Sequence, residues 1–105
     1  MVTPVASKRE VLERLHSEGA HLRRSGVRRI GLFGSFVTDR ADTNSDIDLL
    51  VEFDPATKNF DNYLALAELL ESRLQRPVDL LTRESLSPHI GPRILAEVEY
   101  VSLGE

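Results

Sequence analysis

The sequence contains no cysteine. Without cysteine the chain cannot form a disulfide, a thiolate zinc site or a cysteine nucleophile, which excludes several classes of small protein and enzyme. It also has no apolar run approaching the ~20 residues that a membrane-spanning helix needs. The first ten residues, MVTPVASKRE, lack the basic stretch and apolar core of a signal peptide, so we expect a cytoplasmic protein that is not held in a membrane.

Positive charge is scarce relative to negative charge. The 105 residues include 13 Lys and Arg against 17 Asp and Glu, which gives a net charge of −4. Dedicated nucleic-acid-binding proteins usually need a basic face, so we do not expect a nucleic-acid partner. The exception is a cluster of Arg23, Arg24, Arg28 and Arg29. We interpret this cluster as solvated surface, with contact to an acidic partner or a nucleotide phosphate as the alternative.

The hydrophobic pattern changes several times between helical and strand-like spacing. Ser7 and Glu10 form a capping box that predicts a first helix from there to Gly26. Three apolar runs of strand length follow: VRRIGLF, DIDLLVEF and RPVDLLT. Between the first two runs we expect a short helix over residues 36–40 and a polar turn over 41–45. The order α-β-α-β-α-β-α predicts one small α/β (α+β) domain over residues 1–105.

The most strongly patterned helix lies between the second and third strands. Its apolar face is predicted to consist of Phe60, Tyr63, Leu64, Ala67, Leu70 and Leu74. We expect this face to pack in the core, although it could also hold a partner helix. A last short helix should open at Ser87-Pro88 or at Gly91-Pro92 and run to about Glu97, before the segment EYVSL.

Two carboxylates stand at the beginning of the second strand. Side chains alternate along a strand, so Asp46 and Asp48 point to the same face. Asp79 interrupts the third strand in a similar way, and pairing of the two strands would bring three carboxylates together. At about 4 Å two such charges repel by roughly 4 kcal/mol at an effective dielectric constant near 20, so a cation is expected among them. All-oxygen ligands suit Mg²⁺ or Mn²⁺, ions that often share their site with substrate phosphates.

A glycine and a serine precede this pair by ten residues. Gly34-Ser35 lies where the first strand ends, and backbone N–H groups at such a junction can hold a phosphate together with the serine hydroxyl. The simpler interpretation is that Asp46 ends a turn and that Asp48 and Asp79 are solvated strand residues, because D-x-D alone is a weak signal. The combination of a phosphate cradle with a metal site favours a nucleotide as ligand.

Gly34-Ser35, ten residues, Asp46-x-Asp48 and a later strand aspartate together resemble the polymerase-β-like nucleotidyltransferase superfamily. The segments GLFGS, SDIDLLVEF, FDNYLALAELLESRL, PVDLLT and RILAEVEYV are similar to its minimal nucleotidyltransferase family over nearly the whole chain. The resemblance implies a mixed β-sheet flanked by helices. It also implies an antitoxin that transfers AMP from ATP to tyrosine hydroxyls of a HEPN-type RNase toxin.

The resemblance also implies roles for individual residues. Gly34 and Ser35 correspond to the triphosphate-binding pair, and Asp46 and Asp48 to the ligands of two Mg²⁺ ions. Asp79 corresponds to the third carboxylate, which ligates the catalytic metal and can accept the hydroxyl proton. Two cations about 3.5 to 4 Å apart would stabilise the entering and leaving oxygens of an in-line displacement.

The chain departs from the family pattern close to this site. Relatives commonly carry arginine and glycine where this chain has Thr38 and Asp39. A cation near the triphosphate is then missing unless Arg40 replaces it. Two rivals to the enzyme therefore stay open: an antitoxin that neutralises the toxin by binding alone, and a transferase that modifies a small molecule. A homo- or hetero-oligomer is a further expectation.

Overall fold

In the computed structural model, which describes residues 3–103, four α-helices pack against a four-stranded sheet. The helices are α1 (Lys8–Ser17), α2 (Gly19–Arg24), α3 (Phe60–Leu74) and α4 (Gly91–Glu97). The strands are β1 (Val27–Phe33), β2 (Ile47–Phe53), β3 (Val78–Thr82) and β4 (Glu99–Tyr100). Within residues 3–103, none of the helices has the length and apolarity required to cross a bilayer.

The sheet is mixed and has the strand order β3-β2-β1-β4. The central strands β1 and β2 are antiparallel, and β4 runs antiparallel to β1 along one edge. The predicted pairing of the second and third strands is confirmed, because β3 lies parallel to β2 at the other edge. This arrangement brings the beginnings of β2 and β3 side by side.

The two faces of the sheet are covered unequally. On one face, α1, α2 and α3 bury a large core that includes Leu15, Leu22, Leu49, Val51 and Leu70. On the opposite face a smaller cluster contains Phe33, Leu50 and Ile94, the last of these from α4. Asp48 and Glu52 lie on the thinly covered face with Leu50, because residues two apart in a strand point the same way. The acidic residues therefore stand on the face that is more open to solvent.

The prediction of one continuous helix from Ser7 to Gly26 was wrong. The Ser7 hydroxyl caps Glu10 as predicted, but the helix ends at Ser17 and a second helix begins at Gly19. A β-carbon on Gly19 would lie 2.9 Å from the backbone oxygen of Leu103. Because Gly19 has no side chain, the chain between the two helices packs closely against the C-terminal segment. This contact joins residues far apart in the sequence, so no local pattern predicts it.

One further prediction about a short element was wrong, and one short strand was not predicted. No α-helix forms over residues 36–40; a single 3-10 turn at Gly34–Phe36 replaces it, and Asp39 adopts a left-handed φ of 61° that ends helical geometry. The segment after α4 forms β4, which pairs with Gly31 and Leu32 of β1. A two-residue strand is too short to show a period of its own.

The predicted long helix is confirmed and spans Phe60–Leu74, but part of its predicted buried face was wrong. The helix buries Leu66, Leu70 and Leu74, whereas Phe60 is 70% exposed and Leu64 is 41% exposed. Tyr63 and Ala67, also on the predicted face, are partly buried and pack against the core. The last helix begins at Gly91, the second of the two predicted openings.

Candidate active site

Asp48 and Asp79 are direct neighbours across β2 and β3. In the parallel ladder Asp48 is in register with Asp79, with Leu49 beside Leu80 one residue further on. Side chains in register on adjacent strands project to the same face. Leu80 is buried, whereas Asp48 is half-buried and Asp79 is exposed on the edge strand. The predicted pairing of the two strands therefore sets Asp48 and Asp79 in register on one face of the sheet.

Asp46 lies one residue before β2, in the loop that arrives from β1. The loop is held from outside by Arg76, whose guanidinium donates to the carbonyls of Asp42, Ser45 and Val5 at 2.6 to 3.2 Å. Since Ser45 is the residue before Asp46, this anchor fixes the backbone that presents the first carboxylate. Asp46 itself is exposed.

Gly34 brings the backbone of the first strand directly against Asp48. Phe33 is in register with Asp48, and the chain then turns through Gly34 with a left-handed φ of 79°. A β-carbon at Gly34 would lie 2.1 Å from Asp48 Oδ2, a distance that no side chain tolerates. Glycine is therefore required here both for its conformation and for the space that the Asp48 carboxylate occupies.

Ser35 lies in the short turn that follows. The 3-10 turn of Gly34–Phe36 starts its hydrogen bonding with the Val37 N–H, so the backbone N–H groups of Ser35 and Phe36 have no partner inside it. Ser35 is half-buried, next to the glycine that touches Asp48. The turn and the carboxylates consequently face each other.

The residues that depart from the family pattern stabilise this turn. The Thr38 hydroxyl donates to the Gly34 carbonyl at 3.2 Å and accepts from Arg40 Nε at 3.0 Å. Asp39 has a left-handed backbone, a conformation that glycine adopts freely and aspartate tolerates. Arg40 is thus tied to the loop beside Gly34.

The pKa of the Asp48 carboxyl group is strongly raised. Burial is the main cause that raises its pKa to about 6 from 3.8, and the negative charges of Asp79, Asp46 and Glu97 raise it further. Desolvation and like charges both oppose the ionised form of a carboxyl group. A displaced carboxyl among other acids is typical of functional sites.

Glu97 is a member of this acidic group that the sequence did not reveal. It is the last residue of α4, and its Oε1 accepts a hydrogen bond of 2.9 Å from the Gly34 N–H. The bond joins residues 63 positions apart, so no local motif could have identified it. In the sequence, Glu97 is identified only as the end of the last predicted helix.

The donor set suits a hard divalent cation, although the side chains do not already form its cage. Among residues 3–103, no group of three or more His, Asp or Glu side chains is arranged to hold a metal ion as it stands. Asp46 and Asp79 are both exposed, so their carboxylates can be reached by a cation from solvent. The backbone spacing and the oxygen ligands of Asp46, Asp48 and Asp79 fit Mg²⁺ chemistry.

The sequence matches known nucleotidyltransferases over most of its length. The family model for the nucleotidyltransferase domain matches residues 9–101. The chain is 42% identical over 78 residues to the protein adenylyltransferase MntA of Thermococcus cleftensis, covering 74% of this chain and 78% of that protein. It is 40% identical over 77 residues to a candidate protein adenylyltransferase of Methanocaldococcus jannaschii, covering 71% and 77%.

Solved structures show the same fold. A chain solved as a candidate minimal nucleotidyltransferase superposes with a TM-score of 0.78 at 26% identity, covering 90% of this chain and 95% of that one. A toxin–antitoxin crystal structure with AMP-PNP gives a TM-score of 0.65 at 25% identity, covering 90% and 72%. The family model, the curated relatives and the fold agree that this chain belongs to the minimal nucleotidyltransferase family and is a nucleotidyltransferase.

Proposed function

We propose that this chain is a Mg²⁺-dependent protein adenylyltransferase that acts as the antitoxin of a HEPN-type RNase toxin. It would transfer AMP from ATP to a tyrosine hydroxyl of the toxin and so silence it. The observation that carries the proposal is Asp48, which touches Gly34 on one side and is in register with Asp79 on the other. This contact supports a triphosphate-binding turn at Gly34-Ser35 beside a pair of carboxylates that would hold Mg²⁺.

The names of the relatives support the acceptor and the partner. The curated relative is named a protein adenylyltransferase, and one structural neighbour is a tri-AMPylated Shewanella oneidensis HEPN toxin in complex with an MNT antitoxin. That neighbour is 23% identical, so it supports the fold, and the partner is our extension to this chain.

The chemistry asks little of the protein beyond positioning and charge. The tyrosine oxygen attacks the α-phosphorus of ATP, the bond to pyrophosphate breaks, and the hydroxyl proton passes to a carboxylate. Two Mg²⁺ ions would be held by Asp46, Asp48 and Asp79 and would supply charge neutralisation for the entering and leaving oxygens. Gly34 and Ser35 would hold the triphosphate through backbone N–H groups and a hydroxyl.

We propose that Asp79 is the carboxylate that faces the acceptor. It lies on β3, an edge strand, and is exposed, whereas Asp48 is covered by its neighbours. A tyrosine of another protein can approach an edge strand without displacing any element of this chain. Asp79 would accordingly receive the proton that leaves the attacking hydroxyl.

One observation favours a second function, neutralisation by binding alone. Thr38 stands where relatives commonly have arginine, so a cation beside the triphosphate is absent unless Arg40 supplies it. Arg40 Nε is engaged by the Thr38 hydroxyl, which keeps the guanidinium near the turn. This contact and the three aspartates favour the enzyme over the binding module.

The two functions are separated by one assay. The chain, Mg²⁺ and ATP labelled on the α-phosphate are incubated with the HEPN-type protein encoded beside it, and label on that protein is measured. We expect transfer by wild type and by Glu68→Gln, a matched control on the outer side of α3, and a roughly hundredfold or greater loss with Asp48→Asn. Toxin neutralisation that survives Asp48→Asn without any label would instead establish the binding module.

A further inference from the structure

Glu97 occupies a fixed place between α4 and the turn at Gly34. Its carboxylate accepts the Gly34 N–H at 2.9 Å in a partly buried position. One helical turn earlier, Ile94 packs with Phe33 and Leu50 on the open face of the sheet. Residues three apart lie on the same side of a helix, so the packing of Ile94 directs Glu97 towards the end of β1.

The backbone after Glu97 is fixed as well. A β-carbon at Gly31 would lie 2.6 Å from Val98 Cγ2, so the absence of a side chain at Gly31 lets the chain cross β1 closely. The Tyr100 and Glu99 pairs then join it to the sheet edge. Glu97 is thus held on both sides, by the packing of α4 before it and by β4 after it.

We propose that Glu97 is a positioning residue of the nucleotide site, acting through its hydrogen bond to the Gly34 N–H. This inference rests on the proposed function, since it assigns Glu97 to the ATP-binding turn. The bond fixes the peptide between Phe33 and Gly34 and therefore the direction in which the next N–H groups, those of Ser35 and Phe36, point. A carboxylate whose only effect were its charge would repel a triphosphate, so its use is the acceptor oxygen.

The test compares two variants that have both lost the charge and have similar length. Glu97→Gln keeps an acceptor oxygen, whereas Glu97→Met has none, so any difference between them reports the hydrogen bond alone. Glu97→Ala repeats the loss of the acceptor with a different side chain. Glu99→Ala is the control, because Glu99 pairs with Lys8 and lies two residues away.

Two measurements are made on the purified chain without any toxin. Calorimetry gives the dissociation constant for ATP in Mg²⁺, and ¹⁵N NMR gives the shift and hydrogen exchange rate of the Gly34 amide in the nucleotide-free protein. We expect Glu97→Met and Glu97→Ala to bind ATP about tenfold more weakly than Glu97→Gln, near the upper end of what a hydrogen bond between uncharged groups contributes. Their Gly34 amide should exchange about tenfold faster, with Glu99→Ala resembling wild type.

Each other outcome is informative. If wild type binds ATP and the Gln, Met and Ala variants bind it equally, Glu97 does not position the turn and the inference is overturned. Loss of Mg²⁺-dependent binding in all three variants alike would make Glu97 a metal ligand, which also overturns it. Absence of ATP binding by wild type would refute the proposed function itself. A lower melting temperature of the Met variant with unchanged ATP affinity would show a purely structural role.

Discussion

At the scale of single residues, the contact between Gly34 and Asp48 organises the candidate site. One residue without a side chain makes room for the carboxylate and turns the chain with a left-handed φ. Asp48 is thereby enclosed next to Asp79 and becomes harder to ionise. The same contact joins the turn at Gly34 to the acidic residues.

Gly34→Ala should damage both the stability and the binding of nucleotide. The new β-carbon would stand 2.1 Å from Asp48 Oδ2 in a backbone conformation that costs a side chain about 1 to 2 kcal/mol. We expect the free energy of unfolding to fall by at least that amount, as measured in urea, and Mg²⁺-dependent ATP binding to be lost. Ser35→Ala, which removes only the proposed triphosphate-binding hydroxyl, should weaken ATP binding without this loss of stability. Wild-type ATP affinity in Gly34→Ala would contradict this account.

Asp48→Asn should stabilise the metal-free protein above pH 7. The pKa of Asp48 is about 6 in the folded chain against 3.8 for an ordinary aspartate, so the folded state holds this proton more tightly. The contribution of Asp48 to the free energy of unfolding of the wild type therefore falls as the pH rises from about 4 to 6. Above pH 6 the ionised Asp48 continues to destabilise the folded state.

In EDTA at pH 8 we expect Asp48→Asn to gain about 1 kcal/mol, well below the full value of the displacement because the carboxyl is partly exposed. The gain should shrink at pH 5, where wild-type Asp48 carries its proton. Thermal unfolding at both pH values measures this, with Glu68→Gln reporting the general effect of removing one negative charge. An equal gain at both pH values would exclude Asp48 as its source.

At the scale of elements, the loop between β1 and β2 matters as much as the strands. It carries Ser35 at its start and Asp46 at its end, and it has no helix or strand over residues 37–46. Arg76, just before β3, stabilises this loop through hydrogen bonds to three backbone carbonyls. Its guanidinium also lies 5.1 Å from the centre of the Phe36 ring.

Arg76→Lys should loosen this loop although it keeps the charge. A lysine has a single ammonium in place of a planar fork and cannot reach the carbonyls of Val5, Asp42 and Ser45 together. We expect a loss of about 2 kcal/mol in the free energy of unfolding and weaker Mg²⁺-dependent ATP binding. Arg73→Lys is the matched control, because the exposed guanidinium of Arg73 forms an ion pair with Glu18 that a lysine can also form. Equal effects of the two substitutions would remove Arg76 from the site.

At the scale of the whole molecule, the two faces of the sheet differ in how much of each is buried. Three helices bury the large core on one face, while α4 alone covers part of the other. Stability comes mainly from the first face, and the acids on the second stay within reach of a nucleotide. β3 is an edge strand, and Asp79 on it is exposed.

Leu70→Ala tests this division. Leu70 is 1% exposed in the core face of α3, and such truncations cost about 2 to 5 kcal/mol, a large share of the stability of a small protein. Leu64→Ala, on the same helix but 41% exposed, should change the free energy of unfolding by less than about 0.5 kcal/mol. Urea denaturation of both proteins measures the difference. Similar costs would mean that the apolar face of α3 is not the one buried.

The sequence alone was sufficient for features that depend on short-range pattern. The alternation of Asp46 and Asp48 with apolar neighbours placed both on one face, and the helical periodicity located α3 between the second and third strands. It also indicated that Asp79 would join them, because a polar residue interrupts an otherwise apolar strand. These features follow from side-chain direction, which is set by each strand or helix on its own.

Only the tertiary structure decided the contacts between distant segments. The first helix is broken at Gly19, where the chain packs closely against the backbone of Leu103. Phe60 and Leu64 lie outside the core, and β4 pairs with the edge of the sheet. The tertiary structure also brings Glu97 to the Gly34 N–H. Local patterns fix which way a side chain points along its own element, but which element it meets depends on how the faces of the sheet are covered.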